Sequence, residues 1–252
     1  MKNRIVVIFM LFSLAVFGQE ENKTNAKGKQ GVWKRYHKNG MLRYVGNFKD
    51  DKPVGEFKYY YDTGNIQRKI THKKDTSYSI TFYNEGGHQS TGRYINQKKD
   101  STWFYYDLDG YKIASDFYIK GLKNRISYAY YQSGKIAEEK AFFNDFENGK
   151  WIKYYENGKI KMEATHENGS LEGKVLFYSI TGKRYVRGFY FHSTRDKVWL
   201  YFEADGNTIK KKEEYDKGKR IDANKDDDLE TSPLVPISED FLELDEYGMP
   251  RQ

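Results

Sequence analysis

The chain contains no cysteine. This removes disulfide staples, thiolate metal sites and any lipid attached to a cysteine behind a signal segment. Leucine and valine are sparse, so a thick aliphatic core is out of reach. The one long apolar run, the 13 residues Ile5–Phe17, is short of the ~20 that span a bilayer. Lys2 and Arg4 precede it, and Val16 and Gly18 give a small-residue approach to cleavage. Residues 1–18 therefore read as a secretory signal peptide, with the mature chain starting near Gln19, and not as a membrane anchor. Clustered chemistry is also missing. No nucleophile-elbow motif is present, and acids such as Asp62, Glu156 and Asp205 fall in turn positions. The histidines are His37, His72, His88, His166 and His192. His72 and His166 share a register four repeats apart, about 40 Å on strand spacing, and each reads as a solvated residue between repeats. The expectation is a protein that is not an enzyme and has no metal or cofactor.

What the chain has is a metronome. Glycine recurs at Gly40, Gly64, Gly87, Gly110, Gly134, Gly158, Gly182 and Gly206, with gaps of 23 or 24 residues. Four residues before each lies an aromatic: Tyr36, Tyr60, Tyr83, Tyr106, Tyr130, Tyr154, Tyr178 and Phe202. Seven before, four copies carry Trp33, Trp103, Trp151 and Trp199, which are all the tryptophans of the chain. In the third copy Gly86 can replace Gly87 as the turn glycine, which would bring Phe82 into the aromatic position. A fixed period of 20 to 50 residues marks an array in which each unit stacks on its neighbours.

Within the clearest copy, Lys150–Tyr155 alternates bulky and polar residues, Asn157-Gly158 supplies a turn, and Ile160–Thr165 resumes as a second strand. The predicted fold is all-β, an elongated single-layer antiparallel meander of eight hairpins and about sixteen strands over residues 29–219. Residues four and six before the glycine share one face, the expected apolar spine, with Phe104, Tyr128, Ile152, Leu176 and Leu200 beside the invariant aromatics. The tryptophan face, with Arg35 and Lys153 on it, is expected to be patchier and wetter. Rings two strand spacings apart need bridging side chains from the second strands, for which Leu42, Ile66, Ile113, Ile136, Ile160 and Ile209 are placed.

Residues 19–28 are polar and read as a flexible leader. Residues 220–252 form an acidic tail. Residues 222–252 hold ten acids against Lys225 and Arg251, a net −8, while residues 19–221 carry +13. Asp222–Ser232 reads as a linker; beyond it Pro233–Ile237 and Phe241–Leu244 regain apolar character, as a solvated tail or as a cap on the last hairpin. Such a tail is expected to compete with anionic partners for Lys210, Lys211, Lys212, Lys217 and Lys219.

The motif Gly-x-Trp-x-x-Tyr-x-x-x-Gly is complete at Gly31-Trp33-Tyr36-Gly40 and at Gly149-Trp151-Tyr154-Gly158. Gly55 and Gly173 lead two more copies, while Ser101 and Lys197 take that place in the fourth and eighth. These units resemble MORN repeats, and more closely the longer bacterial variant found in YwqK-type antitoxin proteins. The resemblance implies an elongated single-layer sheet with an assembly or scaffolding role, often with lipid binding. An antitoxin role sits badly with a secretory signal. The units also resemble glucan- and choline-binding wall repeats, whose rings take sugars or quaternary ammonium groups by stacking and cation–π contact.

The reading is thus a secreted or periplasmic binding or scaffolding repeat protein. Its partner is a protein or envelope component, or alternatively an anionic glycan or lipid; nucleic acid is disfavoured by export. Trp33, Trp103, Trp151 and Trp199 are the candidate contacts, because half the copies dispense with tryptophan; the alternative is that they pack on neighbouring rings.

Overall fold

A computed structural model describes residues 21–222. Residues 1–20, with the expected signal peptide, and residues 223–252, with most of the expected acidic tail, lie outside the described residues. Eighteen strands follow in chain order. The first nine are β1 (Lys23–Asn25), β2 (Gly28–Tyr36), β3 (Leu42–Lys49), β4 (Lys52–Tyr60), β5 (Ile66–Lys73), β6 (Thr76–Phe82), β7 (His88–Ile95), β8 (Lys98–Tyr106) and β9 (Lys112–Ile119). The others are β10 (Leu122–Tyr130), β11 (Ile136–Phe143), β12 (Phe146–Tyr154), β13 (Ile160–Glu167), β14 (Ser170–Tyr178), β15 (Arg184–Phe191), β16 (Thr194–Phe202), β17 (Ile209–Asp216) and β18 (Lys219–Arg220). Every strand pairs antiparallel with its sequence neighbours. The described residues form one open all-β meander without helix, the eight expected hairpins being β2 to β17.

Two kinds of turn alternate between the long edges. On one edge the chain leaves each first strand through a wide turn: His37 N–H donates to Met41 O at 2.8 Å, and Gly40 N–H to His37 O at 3.0 Å, with Gly40 at φ 85°. On the other edge two residues suffice. Asp50-Asp51, Asn96-Gln97, Asn144-Asp145, Asn168-Gly169 and His192-Ser193 have both residues at positive φ, as the tight hairpin turns that match strand twist require. The Asn157-Gly158 pair belongs to the wide kind, with positive φ at Gly158 alone; the tight Asn-Gly turn of that copy is Asn168-Gly169.

The third copy is corrected by its hydrogen bonds. Gly86 N–H donates to Tyr83 O and Tyr83 N–H to Gly87 O, the pattern made by Gly40 and His37. The turn glycine is therefore Gly86 and the aromatic before it Phe82, not Gly87 and Tyr83. The shortfall has a local cause. In the other first strands, a residue nine before the turn glycine sits at positive φ: Gly31, Gly55, Ser101, Arg125, Gly149, Gly173 and Lys197. It makes a bulge. Val54 pairs Asn47 and Lys58 pairs Val45, so three residues, Gly55–Phe57, face Gly46. β6 has seven residues where the other first strands have nine, and its pairing with β5 runs without a shift. This copy lacks the two residues that the bulge adds.

Bulges bend and twist the strand that carries them, and here the sheet buries the face bearing the residue seven before the glycine. Trp33, Phe57, Ser79, Trp103, Val175 and Trp199 are all buried there. The expectation of a wet tryptophan face is overturned, while the expected apolar spine on the opposite face is buried too at Leu176, Leu200 and Phe202. Met162, Ala164, Val175, Val186 and Trp199 cluster on the tryptophan face, with Phe177, Tyr190 and Tyr201 packed against them. Bulky residues fit because the preceding strand yields space. A Cβ on Gly46 would lie 2.3 Å from the Phe57 ring, one on Gly92 2.2 Å from Trp103, and one on Gly188 2.3 Å from Trp199. Where the buried residue is Val175 or Ser127, the residue eleven before it is Ala164 or Asp116 instead.

Two further expectations change. Residues 22–25 are not a flexible leader but an edge cover, β1 pairing β2. Bridging residues lie where foreseen at Leu42, Ile66, Ile136, Ile160 and Ile209. In the fourth copy Lys112, not the exposed Ile113, pairs Tyr106, and its ammonium lies 3.8 Å from the Tyr130 ring centroid.

The ring-and-glycine fit predicts coupled energetics. Gly92→Ala is expected to destabilise by about 1–3 kcal/mol through overpacking. Added to Trp103→Val, which recreates the Ala164–Val175 pairing, it should cost at least about 1 kcal/mol less than alone. A denaturant double-mutant cycle measures this; additive effects would contradict the fit.

Candidate interaction surface

The four tryptophans are placed by the bulge and held from several sides. Indole N–H groups donate to the carbonyl ten residues earlier in three copies: Trp33 to Lys23 at 3.2 Å, Trp103 to Arg93 at 3.1 Å, and Trp199 to Phe189 at 3.2 Å. A cation four residues before each covers the ring, with Lys29 at 5.0 Å, Lys99 at 4.5 Å and Arg195 at 4.4 Å from the centroid. Trp151 differs. Lys140 takes the place that glycine has opposite Trp103 and pairs directly with Trp151, its ammonium 4.5 Å from the ring. That indole N–H has no hydrogen-bond partner. Buried and already covered by the protein's own cations, Trp33, Trp103 and Trp199 are packing residues and not contacts. The candidate contact set is corrected accordingly.

The opposite face carries the aromatics four before the glycine, of which Tyr36 is exposed while Tyr130, Tyr154 and Tyr178 are engaged. Tyr130 Oη lies 3.0 Å from Ser115 Oγ, and Tyr178 O–H donates to Glu163 at 3.0 Å. Burial first, and then the charge of Glu139 or Glu163, pushes the Tyr154 and Tyr178 hydroxyls up to about 12.

One element was not foreseen. The residue after the invariant aromatic reaches across to the next copy's wide turn. Tyr61 O–H donates to Phe82 O, Tyr83 to Tyr106 O, Tyr131 to Tyr154 O and Tyr155 to Tyr178 O, at 2.9, 2.7, 2.6 and 2.8 Å. His37 Nε2 makes the same contact with Tyr60 O at 2.9 Å. On the tight-turn edge, main-chain bonds do this work, as from Gly169 N–H to Glu147 O at 2.8 Å and from Ser193 N–H to Leu171 O at 3.0 Å. Both long edges are thus stapled from copy to copy. The signal for the first staple was a second tyrosine directly after the invariant one.

His166 is buried, not solvated. Its Nε2 lies 2.9 Å from Glu147 and its ring 5.1 Å from Trp151, and burial holds its pKa below the usual histidine value. Among the described residues no group of three or more histidine and acidic side chains could hold a metal. A hollow between β8, β9 and β10, lined by Thr102, Ser115, Phe117, Arg125 and Tyr128, has about 210 Å³. That is below the ~300–1,000 Å³ of small-molecule sites.

Exposed apolar side chains collect on the tight-turn edge. Ile119 pairs Leu122 across one turn and Phe143 pairs Phe146 across the next. Their exposures are 41%, 41%, 47% and 62%, so four large apolar groups stand in water on adjacent, stapled turns. Lys98 and Lys120 are exposed beside them.

Near the last strands a polar knot is buried. Glu213 accepts from Tyr201 O–H at 2.6 Å and Tyr215 O–H at 3.0 Å, with Lys211 at 2.9 Å and Arg195 and Arg220 at 3.6 Å. Burial alone would raise its carboxyl pKa. Hydrogen bonds from Tyr201, Lys211 and Tyr215 outweigh that and hold it at about 2.

The geometry defines an open, edge-stapled antiparallel repeat sheet. Three segments of the chain, residues 29–50, 53–74 and 147–168, are similar to the family model described as MORN repeat variant. The three segments coincide with the hairpins β2–β3, β4–β5 and β12–β13. No curated protein matches. Among solved structures, a crystal structure of TarM is 18% identical over 41% of this chain and 21% of that one, at a TM-score of 0.30. A crystal structure of an S. aureus TarM mutant in complex with fondaparinux, alpha-GlcNAc-glycerol and UDP is 19% identical over 37% and 20%, also at 0.30. The chain spans about a fifth of the length of those proteins. At such scores the likeness says nothing about what this chain does.

The Glu213 knot predicts an acid-sensitive end. A carboxyl depressed in the folded state contributes stability that is present above its unfolded pKa, about 4.3, and is lost as pH falls toward about 2. Glu213→Gln is expected to lower stability at pH 7 by about 1.5–3 kcal/mol and to flatten the fall in stability between those values. An unchanged slope, measured by denaturant unfolding across that range, would contradict the assignment.

Proposed function

We propose that this protein is a non-enzymatic binding scaffold, exported by its N-terminal segment, that holds a protein partner of the cell envelope against the tight-turn edge of its sheet. The observation that carries this reading is the patch of Ile119, Leu122, Phe143 and Phe146. Contiguous exposed apolar side chains on a soluble surface mark interaction sites. These four stand on turns tied to their neighbours by main-chain bonds, so little order has to be acquired on binding. The MORN repeat match supports use as a binding array.

An anionic glycan or lipid is the second reading, favoured by the +13 of residues 19–221 and by Lys98 and Lys120 beside the patch. The YwqK-type antitoxin role is not favoured, because an exported chain does not meet an intracellular toxin. Proteins with a catalytic centre lose turnover on one substitution; no residue of this sheet is assigned such a role.

Replacing both Phe143 and Phe146 by Ser tests the proposal. These side chains are exposed, so the change should leave stability within about 0.5 kcal/mol. A photo-cross-linking residue at Ile119 or Leu122 should trap a discrete envelope protein in cells, and the double replacement should cut that yield at least tenfold. Undiminished trapping, or loss of binding to anionic vesicles instead of to a protein, would overturn the protein-partner reading. Turnover of an envelope substrate that vanishes on one point substitution would overturn the scaffold reading altogether.

A further inference from the structure

On the face opposite the tryptophans, Arg184 and Arg187 project side by side from β15. Arg187 pairs Leu176 of β14 and Leu200 of β16, and Arg184 pairs Tyr178 of β14. The register shift between Phe177 and Tyr178 puts Arg184 on the same face as Arg187. Leu176, Leu200 and Phe202 are buried there although the sheet is a single layer. The arginine stems supply the cover: the Arg184 guanidinium stacks on Phe202, 4.3 Å from the ring centroid, and Arg187 lies between the two leucines.

That packing accounts for the stems and leaves the charges. Neither guanidinium makes an ion pair or a hydrogen bond among the described residues, and each Nε is buried without a partner while the terminal nitrogens reach solvent. Arg93 and Arg195, by contrast, have Asp100 at 2.8 Å and Glu213 at 3.6 Å. Burial, and then the charge of Arg184, hold the Arg187 guanidinium below the usual arginine value. The neighbouring strands bring no compensation. Glu163 of β13 accepts from Tyr178 O–H at 3.0 Å, and Glu214 of β17 pairs Val198 at the other end of β16. Lys212 of β17 pairs Leu200 and adds a third cation on this face.

We propose that Arg184 and Arg187 form a binding site for a phosphate monoester. Each guanidinium presents a planar fork that matches phosphate oxygens, and the Phe202 ring holds one fork in place before the ligand arrives. A monoester carries close to two negative charges at pH 7, its second pKa being about 6. It therefore offsets both guanidiniums at once, where a single carboxylate or a phosphodiester offsets one. The site lies at the wide-turn end of β15, on the edge away from Ile119, Leu122, Phe143 and Phe146. It is independent of the protein-partner reading.

Titrating the full chain with glucose 6-phosphate, and with glucose 6-sulfate as a singly charged control, tests the site. Arg184→Met and Arg187→Met keep apolar stems over Leu176, Leu200 and Phe202, so the free protein should lose no stability. Each replacement should weaken glucose 6-phosphate binding by about tenfold or more, the value of a charge-assisted hydrogen bond. Arg187→Lys, which keeps the charge without the fork, should weaken it as well. The advantage of the phosphate over the sulfate should shrink as pH falls through about 6. Because both esters meet the same protein, that ratio cancels any titration of Glu163, Tyr178, Lys212 or Glu214. Phosphatidic acid in phosphatidylcholine vesicles distinguishes the source. Cosedimentation lost in the double Met variant assigns the ester to a membrane surface; glucose 6-phosphate binding without cosedimentation assigns it to a sugar phosphate. Replacing Phe143 and Phe146 by Ser should change neither, which separates this site from the apolar patch. Failure to bind glucose 6-phosphate, equal affinity for the two esters at about pH 7.5, or binding that survives the double Met replacement would overturn the proposal.

Discussion

The structure depends on a single backbone constraint, a bulge residue held at positive φ nine positions before the turn glycine. Gly31, Gly55, Gly149 and Gly173 adopt it readily; Ser101, Arg125 and Lys197 adopt it against the preference of L-residues. A Cβ on Gly31, Gly55 or Gly173 would meet nothing within 4 Å, so glycine there serves conformation and not space. From the bulge follow the two residues that separate β6 from its counterparts, the bend of the strand, and the site that receives the next large side chain. The indole hydrogen bond to a carbonyl ten residues back is a consequence of the same geometry.

That geometry explains what could be read from the sequence. Turn glycines and the aromatics four before them are column properties, repeated at one offset, and they led directly to the hairpins. The role of the tryptophans is a pair property. Trp103 with Gly92, Trp199 with Gly188, Val175 with Ala164 and Ser127 with Asp116 trade volume across two strands, eleven residues apart. Viewed in one column, tryptophan looks dispensable and hence free for contact; viewed with its partner it is compensated packing. The third copy misled for a related reason, since Gly86 and Gly87 both have positive φ, and only the hydrogen bonds distinguish them.

The candidate contact patch was not legible at all. Ile119, Leu122, Phe143 and Phe146 continue the alternation of their strands, and nothing in one strand says that its last residue overhangs the sheet. Other copies put Lys49 and Lys52, or Glu167 and Ser170, at the equivalent tight turns, as expected of solvated strand ends. The patch is therefore a local departure from a polar rule. A repeat sheet whose long edges are stapled can carry such departures cheaply, because the fold resides in the shared positions and the turn-flanking positions are left to vary.

The central claim, that the tryptophan register is core, is tested most directly by iodide quenching of the intrinsic tryptophan fluorescence of the folded, full-length chain. The account predicts that Trp33, Trp103 and Trp199 are shielded, that Trp151 alone is partly quenched, and that Trp151→Phe removes the quenchable fraction. Quenching of all four tryptophans to the extent seen in the unfolded chain would contradict it.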